Sequence, residues 1–412
     1  MLVNPNYNES QGWASFYLPK KVANSSFMRI AYFTETFLPQ IDGIVFILTH
    51  LFDYLEEKGH ESITFAPHGA LETYASTKIF HQSSLRTPFY PERRMATPIA
   101  RVEKKVLAFK PDLIHLVAPT SLGVAGLRVA LKHSIPLVAS YHTDLSGFAR
   151  RWKMGAFSEP IYNFYRYIHN KADLSLVPSE FTRQQLAEKD FHRLAIWPSG
   201  VDLKLYSPAK RNQAWRSRLS EGHSDEILIT FVSRLSREKR ADMLLPIARE
   251  VKGIRLAIVG DGPDRARLEK LFAGTPTYFA GFLRGEDLAA AFAAGDLFVF
   301  AGAEETFGNV VLEAMASGLP VIAPDSGGVV NLVDNGKTGL LFPSEDQKEM
   351  TRMVAGLAHN PELAKRMGKA GRAKAENFGW ENIFDTLIKN YNGVLKKHKK
   401  KWNKDREVDQ AF

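Results

Sequence analysis

From Met28 to about Phe342, short apolar runs alternate with stretches whose apolar residues recur at helical spacing. The short runs are continuous rather than alternating, which marks strands buried on both faces. Strand and helix in alternation predict parallel sheets covered by helices. The first half offers strands at Arg29–Phe33, Ser62–Ala66, Leu113–Val117, Leu137–Tyr141, Leu174–Val177 and Ala195–Trp197. The second offers Ile227–Val232, Arg255–Val259, Thr277–Ala280, Leu297–Phe300, Val321–Ala323 and Gly339–Phe342. Each set makes one doubly wound α/β domain. The boundary falls in WPSGVDLKLYSPAKR, where Pro198, Gly200 and Pro208 interrupt any regular element. Beyond Glu345 only helical segments remain, and GWENIFDTLIKNYNGVLKKH, with Ile383, Leu387 and Tyr391 four apart, predicts a terminal helix. The expected layout is an irregular extension over 1–27, a first Rossmann-like domain over 28–200 and a second over 201–380. A helix over 381–398 and a basic tail over 399–412 follow. Met28 is a candidate start of translation.

A chain of 412 residues with 45% hydrophobic content can bury two large cores. It has no cysteine, which rules out disulfides, thiolate catalysis and cysteine-ligated metal, and suits a reducing cytoplasm. No apolar run reaches the roughly 20 residues of a membrane span. The polar start, MLVNPNYNESQGWASFYLPKKVANSSF, lacks the apolar stretch of a secretion signal.

The net charge of +9 is concentrated in two places. Between Arg86 and Lys110 seven basic residues stand against two acidic ones, and between Lys396 and Arg406 seven stand against one. Phe89, Tyr90, Met95, Ile99, Val102 and Val106 put apolar neighbours beside the first patch. Arg93–Lys105, with Lys396–Lys401 as a second contact, is therefore expected to meet an anionic membrane surface. Nucleic acid fits less well, because Trp402 is the lone aromatic from Lys396 to Arg406 and no stacking platform is evident.

The chemistry concentrates in FAGAEETFGNVVLEAMASGLPVIAPDSGGVVNLVD, residues 300–334. A helix opening at Phe307-Gly308-Asn309 presents unpaired N–H groups and the positive end of its dipole, a seat for phosphate. Glu305 beside such a seat requires a neutral donor, for example a sugar hydroxyl. Glu313 lies two turns along and can reach a second hydroxylated group. Two glutamates eight apart are commonplace on helix surfaces, but the intervening FGNVVL is too apolar for a solvated face. A phosphate seat flanked by two hydroxyl acceptors describes a nucleotide-sugar pocket. Neither half carries G-x-G-x-x-G after its first strand, which disfavours a dehydrogenase.

This stretch resembles the donor site of retaining glycosyltransferases of family 4, which have the GT-B fold and frame the sugar nucleotide with E-x7-E. The similarity runs from Met28 to about Leu395. It is strongest toward sulfoquinovosyl-diacylglycerol synthases and related lipid mannosyl- and glucosyltransferases, in FTETFLPQIDGIV, PDLIHLVAPTSLGVAGL, VASYHTDL and GDGPDRARLEKLF. The resemblance implies two domains facing across a cleft, with the terminal helix crossing back to the first. In SRLSREK, similar to the family's G-R-L-x-x-E-K with Ser233 replacing glycine, it gives Arg234 and Lys239 the donor diphosphate. Gly43 would bring a backbone N–H to the phosphate from the facing domain, and His142 would lie beside the transferred sugar. Phe307, Gly308 and Asn309 would complete the donor seat, with Glu305 on the sugar and Glu313 on the ribose. The basic and aromatic segment after His142 would help hold the acceptor. Asn331 stands where many relatives have a glutamate.

The implied activity is metal-independent, cofactor-free, retaining transfer of a hexose from a UDP- or GDP-sugar to a hydroxyl of a membrane lipid, diacylglycerol or a glycolipid. It would take place in the cytoplasm at the inner face of the membrane. A soluble or polysaccharide acceptor shares every donor motif. A nucleotide-sugar epimerase shares the architecture but needs no acceptor, and a non-catalytic nucleotide-sugar-binding protein need not keep Arg234, Lys239, Glu305 and Glu313 together.

Overall fold

The computed structural model describes residues 27–40, 42–87, 90–96, 101–142, 158–303 and 305–409. The expected extension over 1–27 lies almost wholly outside them.

The first half runs β1 (Arg29–Thr34), α1 (Gly43–Glu57), β2 (Glu61–Pro67), β3 (Thr73–Tyr74), β4 (Thr77–Gln82), β5 (Ser84–Thr87) and β6 (Tyr90–Ala96). It continues α2 (Arg101–Phe109), β7 (Leu113–Val117), α3 (Ser121–Lys132), β8 (Leu137–Ser140), α4 (Ser158–Lys171), β9 (Leu174–Val177), α5 (Glu180–Ala187) and β10 (Leu194–Ile196). Its main sheet has the order β10-β9-β8-β7-β1-β2-β4-β3, parallel except where β3 meets β4. The second half runs α6 (Gln213–Leu219), β11 (Ile227–Val232), α7 (Leu245–Glu250), β12 (Ile254–Val259), α8 (Arg265–Leu271), β13 (Thr277–Gly281) and α9 (Gly285–Ala294). Then come β14 (Leu297–Val299), α10 (Asn309–Ala316), β15 (Val321–Pro324), β16 (Gly339–Phe342), α11 (Gln347–Ala358), α12 (Pro361–Ala375) and α13 (Trp380–Asp409). Its six strands lie in the order β13-β12-β11-β14-β15-β16 with every pairing parallel.

Both sheets are doubly wound, and each reverses direction once, between β1 and β7 and between β11 and β14. Crevices for ligands open at the carboxyl ends of strands at such switch points. The strand centres are fully buried, as their unbroken apolar runs require: Ile30 to Phe33, Phe231, Leu256 to Ile258 and Ile322 have no exposed surface.

The chain passes between the halves twice, side by side. Val201 pairs with Gly379 in a parallel bridge, and its N–H donates to Phe378 O at 2.9 Å. Gly200 faces the ring of Trp380, where a Cβ would sit 2.4 Å from Cε3, so only glycine fits. From there α13 returns to the first domain. Phe384, Leu387, Ile388, Tyr391 and Val394 enter the same core as Leu48, Leu51 and Phe52 of α1. At its centre Tyr391 Oη lies 2.7 Å from His115 Nδ1 and 3.3 Å from Tyr32 Oη.

Two expectations need correction. The terminal helix expected over 381–398 does not stop there, for α13 continues to Asp409 and takes in the basic residues from Lys399. Lysine and arginine are good helix formers, and nothing after Gly393 breaks the run. In the first basic patch, Val102 and Val106 are core residues rather than apolar neighbours on an outer face. Lys104, Lys105 and Leu107 are exposed on α2, while the side chains of Arg93 and Arg94 lie outside the described residues.

Removing the Tyr391 hydroxyl leaves a buried imidazole nitrogen and the Tyr32 hydroxyl without this partner. Tyr391→Phe is expected to cost about 1–3 kcal/mol, read as a lower urea midpoint. An unchanged midpoint would show that the crossover helix is held by packing alone.

Candidate active site

The facing switch points enclose a cleft of about 390 Å³. One wall comes from the first domain: Asp42, Gly43, Ile44 and Ile47 at the start of α1, His142 after β8, and Pro178, Trp197 and Ser199. The other comes from the second: Ser233, Arg234 and Lys239 after β11, and Phe300 with Glu305 to Val310 after β14.

The loop Thr34–Gly43 delivers a helix start to the cleft. The Asp42 carboxylate accepts from Ile44 N and Val45 N at 2.9 Å and from Thr36 Oγ1 at 2.9 Å, which caps α1. Opposite, α10 starts at Asn309 behind Gly308, which is left-handed at φ 102°. A Cβ on Gly43 would lie 3.7 Å from Asn309 Nδ2, so the Asn309 side chain reaches across the cleft toward the start of α1.

Arg234 follows β11 and is exposed on the cleft wall. Its loop sits on Gly260, where a Cβ would meet Ser233 O at 1.9 Å. Lys239 reaches across to Glu305 and forms an ion pair inside the cleft. The Glu305–Thr306 backbone is held from below, since Gly328 N donates to Glu305 O at 2.6 Å. A Cβ there would come within 2.2 Å of Thr306 O, which is why a Gly-Gly pair is needed. Phe307 touches the cleft but packs into the second domain's core near Phe378, so it anchors the helix start.

His142 lies with Nε2 2.9 Å from Ser140 Oγ and its ring edge-on to Trp197. Burial lowers its pKa to about 4, against a smaller opposing pull from Asp42, so the imidazole is neutral at physiological pH.

Glu313 is one turn beyond Asn309 on the same helix but does not line the cleft. Tyr206 donates a hydrogen bond to it, and burial raises its pKa to about 8.

The domains are joined along one side of the cleft. Ser179 Oγ, capping α5, donates to Thr306 O at 2.8 Å, and Thr306 Oγ1 donates to His142 O at 3.2 Å. Phe181 N, in the first turn of α5, donates to Asn331 Oδ1 at 2.9 Å. Asn331 thus caps a helix of the opposite domain. Thr143 and Asp144 lie outside the described residues.

Of the residues singled out from sequence, Gly43, His142, Arg234, Lys239, Glu305, Phe307, Gly308 and Asn309 line one cavity, and Glu313 stands just outside it. Sequence reasoning missed Asp42, Trp197, Ser199 and Thr306. Asp before a glycine at a helix start is a recognisable cap signal. Nothing local marks the other three.

Comparison with known proteins agrees with this architecture. Residues 41–205 match the family model described as Glycosyltransferase Family 4, and residues 213–374 match Glycosyl transferases group 1. The chain is 34% identical to sulfoquinovosyl transferase SQD2 of Arabidopsis thaliana, covering 85% of this chain and 71% of that one. This chain belongs to glycosyltransferase family 4. The GDP-mannose-dependent alpha-mannosyltransferase of Mycobacterium tuberculosis is 35% identical over 89% of this glycosyltransferase and 97% of its own length. Alpha-monoglucosyldiacylglycerol synthase of Acholeplasma laidlawii is 25% identical over 92% and 100%. Among solved structures, Anabaena HepE in complex with UDP superposes with a TM-score of 0.74 at 20% identity, covering 89% of this chain and all of that one. The GT-B fold of this glycosyltransferase is thereby established.

The depressed His142 pKa has a consequence for stability. Between its ordinary 6.5 and about 4, the unfolded chain binds a proton that the folded chain does not, so stability falls as pH drops through that window. His115 and His169, buried with lowered pKa values, act in the same direction. The urea midpoint of this glycosyltransferase is expected to fall from pH 6.5 to 4, and His142→Phe to show a shallower but not flat decline. Parallel curves would contradict the burial of His142.

Proposed function

We propose that this glycosyltransferase moves a hexose from a UDP- or GDP-sugar to a hydroxyl of a membrane lipid, with retention of anomeric configuration and without a metal ion. The observation that carries the proposal is the convergence on one cavity of Arg234, Lys239, two helix N-termini, Glu305 and a neutral His142.

The donor diphosphate would lie between the two helix starts, where N–H groups and dipoles favour an anion. Arg234 and Lys239 would meet the charge that grows on the leaving diphosphate, which removes the need for a divalent cation. Lys239 now pairs with Glu305, so an arriving phosphate would exchange the lysine's partner. The freed Glu305 would then accept from sugar hydroxyls and orient the anomeric carbon. Glu313 would hold the ribose, and protonated at neutral pH it can donate as well as accept. In the transfer itself the bond from the anomeric carbon to phosphate oxygen breaks while the acceptor oxygen bonds to the same face, and the leaving phosphate takes the acceptor's proton. His142, uncharged, would flank the sugar without opposing the positive charge that develops on it.

Support for the lipid acceptor comes from the relatives, one of them a diacylglycerol glucosyltransferase by name, and from exposed Lys104, Lys105 and Leu107 on α2. The basic stretch at Lys396–Lys401 would add attraction to an anionic surface. Among the described residues no helix is long and apolar enough to cross a membrane, so contact with lipid would be peripheral.

The deciding assay offers UDP- and GDP-sugars with and without anionic vesicles containing diacylglycerol, and scores glycolipid product. A glycolipid is expected from one donor. Lys239→Ala and Glu305→Ala are expected to lower kcat/KM by about a hundredfold or more, and excess EDTA to leave the rate unchanged. Transfer only to soluble acceptors would overturn the lipid assignment. Conversion of the donor alone would point to an epimerase, and loss of activity with EDTA would overturn metal independence.

A further inference from the structure

The peptide unit after Glu305 is gripped by both domains. On the second domain's side the Glu305 carbonyl accepts from Gly328 N at 2.6 Å. The next carbonyl, that of Thr306, accepts from the first domain instead: from Ser179 Oγ at 2.8 Å and from Thr182 Oγ1 at 3.3 Å, both at the start of α5. The Thr306 hydroxyl donates to His142 O at 3.2 Å. One residue of the second-domain wall therefore makes three hydrogen bonds to the first domain. It follows Glu305 directly in the chain and is bonded directly to His142.

The surroundings make this a built contact. Ser179 and Thr182 are buried, at 2% and 3% exposure, although both are polar. The first turn of α5 packs on the short helical turn Gly327–Asn331, where Asn331 Oδ1 accepts from Phe181 N. Lys239 also reaches Glu305, but from the same domain, so that ion pair does not fix the gap between the walls. The bonds to Thr306 do. They are also reversible, because on opening water replaces each neutral hydrogen bond at little net cost. The Val201–Phe378 connection and the helix α13 stay joined on the other side of the domains.

We propose that Ser179 and Thr306 form a clasp that closes the cleft and fixes the spacing between Glu305 and His142. They are positioning residues for transfer, acting through the two groups between which the sugar would lie. That sugar role rests on the donor reading given above, whereas the clasp between the domains does not.

The test compares the full unaltered chain with Thr306→Val, Thr306→Ser and Ser179→Gly. Valine keeps the shape of Thr306 and loses the bond to His142 O, and serine restores the hydroxyl. Glycine removes the Ser179 donor and is tolerated at a helix N-cap. Small-angle scattering of the ligand-free proteins is expected to give a larger radius of gyration for Thr306→Val and Ser179→Gly than for the unaltered chain and Thr306→Ser. With saturating donor, chosen from the UDP- and GDP-sugars, and diacylglycerol vesicles, kcat is expected to fall about tenfold in the first two and to recover in Thr306→Ser. Should Ser179→Gly fail to fold, the two Thr306 variants carry the test. Equal radii in all the proteins would overturn the clasp. A lower urea midpoint with unchanged kcat in Thr306→Val would show a structural bond only, and would overturn the positioning role. An unaltered chain that binds neither UDP nor GDP in a calorimetric titration would overturn the donor reading, while the radii would still decide the clasp.

Discussion

Two helix N-termini, α1 at Gly43 and α10 at Asn309, face the same cleft from opposite domains, with the Asn309 side chain reaching toward Gly43. Each carries roughly half a positive elementary charge. Their apposition is repulsive unless negative charge lies between or beside them. Asp42 provides some of it by capping α1 with its own carboxylate, and Glu305 provides more beside α10. Lys239, paired with Glu305, partly cancels that contribution. The arrangement thus holds two dipole ends and two basic side chains against two carboxylates, and an anionic ligand improves the balance. On the proposed donor reading, a diphosphate would supply that charge.

What lets the protein hold repelling ends together is the geometry of its connections. The chain crosses between domains twice at one edge, through the Val201–Gly379 bridge, and α13 then becomes part of the first domain's core. The first domain's packing is incomplete without this segment from the far end of the sequence. Along the cleft side, Ser179, Thr306, Phe181 and Asn331 tie the walls through a few hydrogen bonds. A large apolar anchor at the hinge and a small polar seam at the mouth favour motion about the hinge, since the seam is the weaker of the two.

The sheets were legible because parallel strands buried on both faces must be apolar throughout, as in Ile227–Val232 and Val321–Pro324. Strands β3 to β6 escaped notice because they sit at or beyond the sheet edge, where polar residues and Pro91 are tolerated and no apolar run is required. The parts of the cleft built from strand, glycine-bearing loop and helix start were legible for a similar reason, since these are consecutive in sequence. The contacts between its walls were not. Trp197 meets His142 from 55 positions away, and Asn331 reaches Phe181 across 150. Tyr206, which bonds Glu313, lies in the connection between domains and carries no local signal of that role. Partnerships between walls are set by how the two sheets are docked, and periodicity is blind to that.

Burial sorts the titratable groups of the site into two kinds. Arg234, Lys239 and Glu305 sit where the cleft is open, and carry the charges that a diphosphate and its sugar would exchange. His142 on the cleft wall and Glu313 just outside it are buried, and desolvation makes each of them neutral at physiological pH, from opposite directions. A charged imidazole next to Trp197 would add a cation beside the positive charge that the proposed transfer would develop on the sugar. An ionised Glu313 would weaken the positive end of α10 on which the phosphate seat depends. Neutrality at both positions confines full charges to the phosphate path and leaves uncharged hydrogen-bonding groups for hydroxyls. That separation of charged from uncharged polar groups in and around one small cavity is the physical basis on which, in the proposed reading, the cleft would hold a diphosphate and a sugar at once.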